Sequence, residues 1–241
     1  MEGKSEVGGY MNHCLWCHEE IMNEFSWKTL LFGVEGRKVC DCCQERFSLI
    51  KGETCKKCFR ESKQPLCYDC RRWEDFFNGE DPLVKNVSTY TYNSFMQEVV
   101  AKWKYRGDYE LVYMFTNVAR RSFYNHFRPY LEEAIIVPIP LSKERLEERH
   151  FNQSLALANT LMKDKRQISQ LLSRINHEKQ AKKTRRQRIF GKNPFKLEKK
   201  TNKTVILVDD IYTTGTTIRH AASLLLKNGC PQVFSYTLIR G

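Results

Sequence analysis

Nine of the ten cysteines fall between Cys14 and Cys70, and eight of these form four CxxC pairs: Cys14 with Cys17, Cys40 with Cys43, Cys55 with Cys58, and Cys67 with Cys70. No other feature constrains the fold as tightly. Each pair presents two sulfurs from one tight turn along an edge of a tetrahedron. Two pairs therefore complete a site of four thiolates, and four pairs can hold two zinc ions. A segment this short has too little apolar surface to fold alone, so metal binding would supply its folding free energy. Sequential pairing (first with second, third with fourth) and a crossed arrangement both satisfy the chemistry, and zinc-ribbon spacings favour the sequential one. Cys42, inside the run CDCC, could replace a neighbour, and His13 and His18 flank the first pair as substitute ligands or as ordinary solvated neighbours. Cys230 stands apart and reads as a small buried hydrophobe.

A disulfide framework is the other common use of dense cysteine. The N-terminal MEGKSEVGGYMNH lacks the apolar core of a secretory signal, however, and a reducing cytosol favours thiolates that bind metal. The expected location is the cytoplasm. No stretch approaches the roughly 18 consecutive apolar residues of a membrane span, so none is expected. RRWEDFFNGEDPLVKN (residues 71–86) carries no cysteine and contains Gly79 and Pro82, which places the expected boundary there: a zinc-binding domain over 1–80 and a second domain over 81–241.

The second part has an α/β pattern. STYTY around Tyr90 alternates like a strand, and FMQEVVAKWKY (95–105) has helical spacing, with Phe95, Val99, Val100 and Trp103 along one side. Leu111 to Phe123 reads as another helix. AIIVPIP from Ala134 and TVILVDD ending at Asp210 read as buried strands, SLALANTLM as a helix, Thr216 to Asn228 as a helix stopped by Gly229, and QVFSYTLI as a last strand. Strands alternating with helices imply a mostly parallel sheet, whose ligands sit beyond the carboxyl ends of the strands. That rule puts the site at Asp209 and Asp210, facing Pro138 to Arg145. A run from Arg174 to Lys203, dense in Lys and Arg, reads as an exposed, mobile loop.

VILVDDIYTTGTT (205–217) is the piece that carries chemistry. An apolar strand delivers two carboxylates to the sheet edge, and a Thr- and Gly-rich loop leads into a helix. Backbone N–H groups from Thr213 to Thr217 can form an anion nest at a helix N-terminus, with threonine hydroxyls as further donors. Gly215 permits close backbone approach. Carboxylates beside a phosphate nest become sensible once a sugar is supplied, because they accept hydrogen bonds from vicinal hydroxyls. The plain alternative is a strand ending in a solvated acidic turn and a helix cap.

The motif resembles the type I phosphoribosyltransferases. The resemblance implies that Asp209 and Asp210 hold the ribose hydroxyls of 5-phosphoribosyl-1-pyrophosphate (PRPP) with Mg²⁺, and that Thr213, Thr214, Gly215, Thr216 and Thr217 hold its 5-phosphate. It also makes Ser142, Lys143 and Arg145 candidates for the pyrophosphate; the alternative for KERLEER is an ordinary solvated helix face. VPIPLSKERLEERHFNQ (137–153), the four CxxC pairs and KYRGD (104–108) are similar to the ComF family over nearly the whole chain from Cys14. Arg149, Phe151, Asn152 and Gln153 match it, while His150 stands where a common form of the pattern has glycine. In the basic run, Arg174, Gln180, Arg185, Arg188, Asn193 and Phe195 resemble the family's loop that closes over PRPP and excludes water.

The net charge of +12, from 40 Lys and Arg against 28 Asp and Glu, favours polyanionic partners. The basic run could contact single-stranded DNA, with Tyr90, Tyr92 and Tyr105 stacking on bases or simply packing in the core. The family resemblance implies a role in DNA uptake beside a ComFA-type helicase.

Overall fold

The computed structural model describes residues 9–24, 36–105, 108–175 and 192–241. The chain divides into two compact units, Met1–Phe47 and Ser48–Gly241. The division comes earlier than the sequence expectation near residue 80, because the second pair of CxxC turns packs into the core of the second unit. Cys55, Cys58, Cys67 and Cys70 share one apolar cluster with Leu83, Leu207, Ile218 and Leu225.

In the first unit, strands β1 (Gly9–His13) and β2 (Glu20–Glu24) form an antiparallel hairpin around the first CxxC turn. Helix α1 (Asp41–Glu45) starts directly after Cys40 and carries Cys43 on its buried side.

In the second unit, helix α2 (Tyr68–Phe76) grows out of the last CxxC turn, with Cys67 as its N-cap and Cys70 and Trp73 buried. The segment expected to contain the domain boundary is thus helical in its first part and buried at Leu83 beyond it. Strands β3 (Asn86–Thr91), β4 (Ile135–Pro138), β7 (Val205–Tyr212) and β8 (Val233–Arg240) form an all-parallel sheet in the order β3-β8-β7-β4. Val205 to Val208 are fully buried, each such side chain contributing roughly 1.5–3 kcal/mol of transfer free energy.

Helices α4 (Thr116–Phe127), α6 (Gln153–Leu161) and α7 (Thr216–Leu226) pack on the sheet; α3 (Ser94–Tyr105) packs against the segment that follows it and against α5 (Lys143–Arg149), a short helix after β4. The periodicity of 95–105 is borne out, since Phe95, Val99, Val100 and Trp103 are all buried. The region expected as a helix from Leu111 to Phe123 is a 3₁₀ turn over Tyr109–Met114 followed by α4. Gly229 takes φ +100° just beyond α7, as a helix-stopping glycine should. Cys230 is buried, as expected.

Strands β5 (Leu172–Arg174) and β6 (Phe195–Leu197) form an antiparallel ribbon, so the ends of the basic run are ordered structure. Gln180, Arg185 and Arg188 lie outside the described residues.

Strands β3 and β8 are joined by buried polar side chains as well as by backbone pairing. Asn86 Nδ2 donates to Ser88 Oγ (2.8 Å) and Ser235 Oγ donates to Asn86 Oδ1 (2.8 Å). Ser88 and Thr237 hydroxyls meet at 2.6 Å, as do those of Thr89 and Tyr236. All of these residues are buried.

Candidate functional site

The site begins at the carboxyl end of β7. The sequence expectation ends this strand at Asp210, but pairing with β8 continues through Ile211↔Ile239 and Tyr212↔Arg240, so the two aspartates stand on ordered strand. Asp209 accepts hydrogen bonds from Ser154 Oγ and from the Asp210 backbone N–H, both at 2.9 Å. Asp210 forms an ion pair with Lys104, from the last turn of α3. Burial first, and the charge of Asp210 second, push the Asp209 carboxyl up to about 7, against the opposing pull of its hydrogen bonds and of Lys104. The unfolded chain ionises this group first, so its contribution to stability declines as pH rises from the ordinary carboxylate range through about 7. Above about pH 7, where Asp209 is ionised, two carboxylates answered by one lysine form a donor set that suits a hard divalent cation carried with phosphate ligands.

Beyond β7, the loop turns at Gly215, which has φ +78° and is the N-cap of α7. Thr214 Oγ1 lies 2.8 Å from Thr216 Oγ1 and accepts from the Thr216 N–H at 3.4 Å. A helix start leaves its first N–H groups without intrahelical acceptors, and here they follow a loop whose Thr213 side chain is exposed. The volume a Cβ would occupy at Gly215 is filled by Tyr212 Oη (2.1 Å) and Arg219 Nη1 (2.4 Å). The glycine is therefore required by the protein's own packing as well as by its backbone angle.

The loop after β4 faces this corner. Ser142 is the N-cap of α5 and its Oγ accepts from the Arg145 N–H at 3.4 Å. Lys143 lines a cavity of about 640 Å³ together with Pro140, Phe151, Asn152, Tyr109 and Arg174. Burial, then the charge of Arg145, lowers the affinity of Arg174 for its proton, while Asp209 opposes both. Arg174 thus lies within electrostatic reach of both Arg145 and Asp209. Asn152 pins the loop by capping α6, accepting from the Ser154 and Leu155 N–H groups, and by donating to the Ile139 carbonyl at 3.0 Å. His150 has φ +64°, the left-handed conformation in which glycine is at ease and histidine is among the better-tolerated side chains.

At the ribbon, Arg174 stacks over the Phe195 ring (5.6 Å), and Asn193 donates to the His220 carbonyl (2.7 Å). Both anchor the stem of the basic run. Of the three tyrosines considered for base stacking, Tyr90 is fully buried and belongs to the core, whereas Tyr92 is exposed. The Tyr105 side chain lies outside the described positions.

The cysteines fall into two groups, Cys14, Cys17, Cys40, Cys43 and Cys55, Cys58, Cys67, Cys70, with the sulfurs of each within 4.8 Å of one another. The grouping is the sequential one. Each group of four converging thiols at this spacing could hold one tetrahedral zinc ion. Cys42, His13 and His18 belong to neither group among the described residues, and all three are exposed.

Sequence reasoning gave no role to Lys104, Ser154 or Trp73, or to Arg240. Lys104 stood inside the quoted KYRGD, and that was the only available signal. Contacts of the other three depend on tertiary structure alone.

The phosphoribosyl transferase domain family matches residues 156–241, the stretch that contains β7, the acidic pair and the loop. Competence protein ComFC of Bacillus subtilis (strain 168) is 36% identical, covering 98% of this chain and 99% of that one. The chain belongs to the ComFC family. Competence protein ComFC of Streptococcus pneumoniae is 28% identical and covers 94% of this chain and 99% of that protein. Competence protein F of Haemophilus influenzae is 26% identical, with 83% and 96% covered. The ComFC relationship spans both cysteine groups and the sheet, and the architecture is that of a phosphoribosyltransferase domain preceded by a small cysteine-rich unit. Among the described residues, no helix is long and apolar enough to cross a membrane.

Proposed function

We propose that the corner formed by Asp209, Asp210 and the Thr213–Thr217 loop binds PRPP with Mg²⁺, in a phosphoribosyltransferase-type reaction that serves DNA uptake. The carrying observation is the acidic pair at a buried strand end, directly before a glycine in left-handed conformation that opens a helix. Asp209 and Asp210 accept the ribose 2- and 3-hydroxyls, the Thr213–Thr217 loop takes the 5-phosphate, and Lys143, Arg145 and Arg174 supply positive charge for the pyrophosphate, with Ser142 fixing the start of α5. Bound Mg²⁺ would neutralise charge on the leaving pyrophosphate. The protein itself positions the sugar and stabilises charge as an acceptor displaces pyrophosphate at the anomeric carbon; no covalent nucleophile is needed. Lys104 holds Asp210 and is displaced toward the ligand as the site fills. Two zinc ions in the cysteine groups complete the cofactor set.

The test is a calorimetric titration of PRPP with and without Mg²⁺. Binding is expected only with Mg²⁺ and is expected to weaken at least about 100-fold in Asp209→Asn/Asp210→Asn, the loss of two charge-assisted contacts. Because the ligand needs Asp209 ionised, affinity should fall by up to about tenfold per pH unit below about 7. Unchanged affinity in the double variant would remove the reading. Binding without pyrophosphate release on any nucleobase would favour a PRPP-responsive scaffold over an enzyme.

A second reading, contact with single-stranded DNA and with a ComFA-type helicase, is compatible with the first. It is supported by Tyr68, 70% exposed on α2 with Arg72 over its ring at 5.8 Å, and by exposed Tyr92. Binding of an oligonucleotide should then weaken steeply with salt, and a flat salt dependence would count against it.

A further inference from the structure

Two hydrogen-bonded routes run from the second cysteine group to the Thr213–Thr217 loop. The first is Arg240, buried at the end of β8. Its Nη2 reaches Cys58 Sγ at 3.5 Å, and its Nη1 donates to the Tyr212 and Thr213 carbonyls at 3.0 Å each and also to the Gly241 carbonyl. The guanidinium lies 4.9 Å from the centre of the Tyr212 ring. One cation thus joins a metal-ligating sulfur to the two carbonyls that lead into the loop. The second route is Trp73, one turn beyond Cys70 on α2, whose Nε1–H donates to the Thr214 carbonyl at 2.8 Å. The Trp73 ring also packs under Arg219 at 4.5 Å, and Arg219 is the side chain against Gly215. Each carbonyl from Tyr212 to Thr214 is therefore fixed by a group that depends on where Cys58 and Cys70 stand.

Four thiolates around one divalent zinc carry net negative charge, which a buried guanidinium at Sγ offsets. Without the ion, four thiols have no common centre to hold them, and both anchors lose their fixed base.

We propose that Arg240 and Trp73 are positioning residues that couple metal occupancy of Cys55, Cys58, Cys67 and Cys70 to the shape of the Thr213–Thr217 loop, so that zinc there and an anionic ligand on the loop strengthen each other's binding. The inference deepens the PRPP reading, because it concerns the same loop. Coupling of this kind is reciprocal: a ligand that tightens the loop must raise the affinity for zinc by the same factor by which zinc raises the affinity for the ligand.

The experiment uses the full zinc-loaded chain in three forms: native, Arg240→Gln, and Trp73→Phe, which keeps an aromatic ring on Arg219 but removes the N–H donor. Hydrogen exchange of the Thr213–Thr217 amides is read first. Both variants should exchange there at least about tenfold faster, with melting temperature and zinc content held close to native, a pattern that a general loss of stability would not give. Zinc release to a chromogenic chelator is read second, with Cys17→Ser identifying the phase due to the first group. PRPP with Mg²⁺ should slow release from the second group about tenfold in the native chain and less than twofold in Arg240→Gln, leaving the first group's phase unchanged.

Native-like exchange in both variants would overturn the coupling, whether or not PRPP binds. If PRPP binds by calorimetry yet zinc release is unaffected, the coupling is wrong and the PRPP reading stands. If exchange responds and PRPP never binds, the coupling stands and the PRPP reading fails.

Discussion

Alanine at position 215 is expected to destabilise the protein by roughly 2–5 kcal/mol and to abolish phosphate binding at the loop. Two independent penalties combine. At φ +78° a non-glycine residue is strained, and the new methyl would sit 2.1 Å from Tyr212 Oη and 2.4 Å from Arg219 Nη1. Neither obstacle can swing into solvent, because Tyr212 and Arg219 are 2% and 1% exposed and hydrogen-bonded to each other at 2.6 Å. Urea unfolding measures the first effect and phosphate titration the second. An alanine variant of native stability would mean that this pair does not press on the glycine.

The second large effect is expected at Asp81. Its carboxylate accepts from Arg219 Nε at 3.1 Å and Nη2 at 2.8 Å, a bidentate pair with side chains 2% and 1% exposed, and Lys57 adds a second cation at 3.8 Å. Asp81→Ala leaves the Arg219 charge buried with the Tyr212 hydroxyl and the Trp73 ring but without its carboxylate, and the expected loss is about 3–5 kcal/mol. Asp81→Ala with Arg219→Met should recover much of it, since burying two charges is itself expensive and an apolar pair of similar volume avoids that cost. A urea double-mutant cycle measures the coupling. A single variant that loses less than about 1 kcal/mol would place the pair among ordinary surface ion pairs.

Asp81 also shows where sequence reading stopped. In RRWEDFFNGEDPLVKN the signals were local: no cysteine, a glycine, a proline and several charges, all of which mark a boundary by composition. What makes Asp81 a core residue is Arg219, 138 positions away, and no local pattern encodes that partner. Periodicity and apolar runs, by contrast, depend on near neighbours, which is why 95–105 and 205–208 were legible as a helix face and a buried strand. The cysteine groups were legible because metal-ligand spacing is short-range, yet their allegiance was not: the second group is part of the sheet's core, and spacing says nothing of that. Gly215 was legible as a necessary glycine, for half of the reason. The left-handed turn follows from the motif, whereas the crowding by Tyr212 and Arg219 needed the fold.

The buried hydroxyls and amide between β3 and β8 have a consequence for alignment. Displacing one strand by a single residue would break the pairing of Asn86 with Ser235 and of Ser88 with Thr237, each orphaned polar group costing about 1–3 kcal/mol. Because α3 follows β3 directly while the aspartates stand on β7, such a slip would carry Lys104 away from Asp210. A ladder of hydroxyls at the β3 edge of the sheet thereby acts as a ruler: it rejects misaligned assemblies and sets where the lysine that answers Asp210 comes to rest.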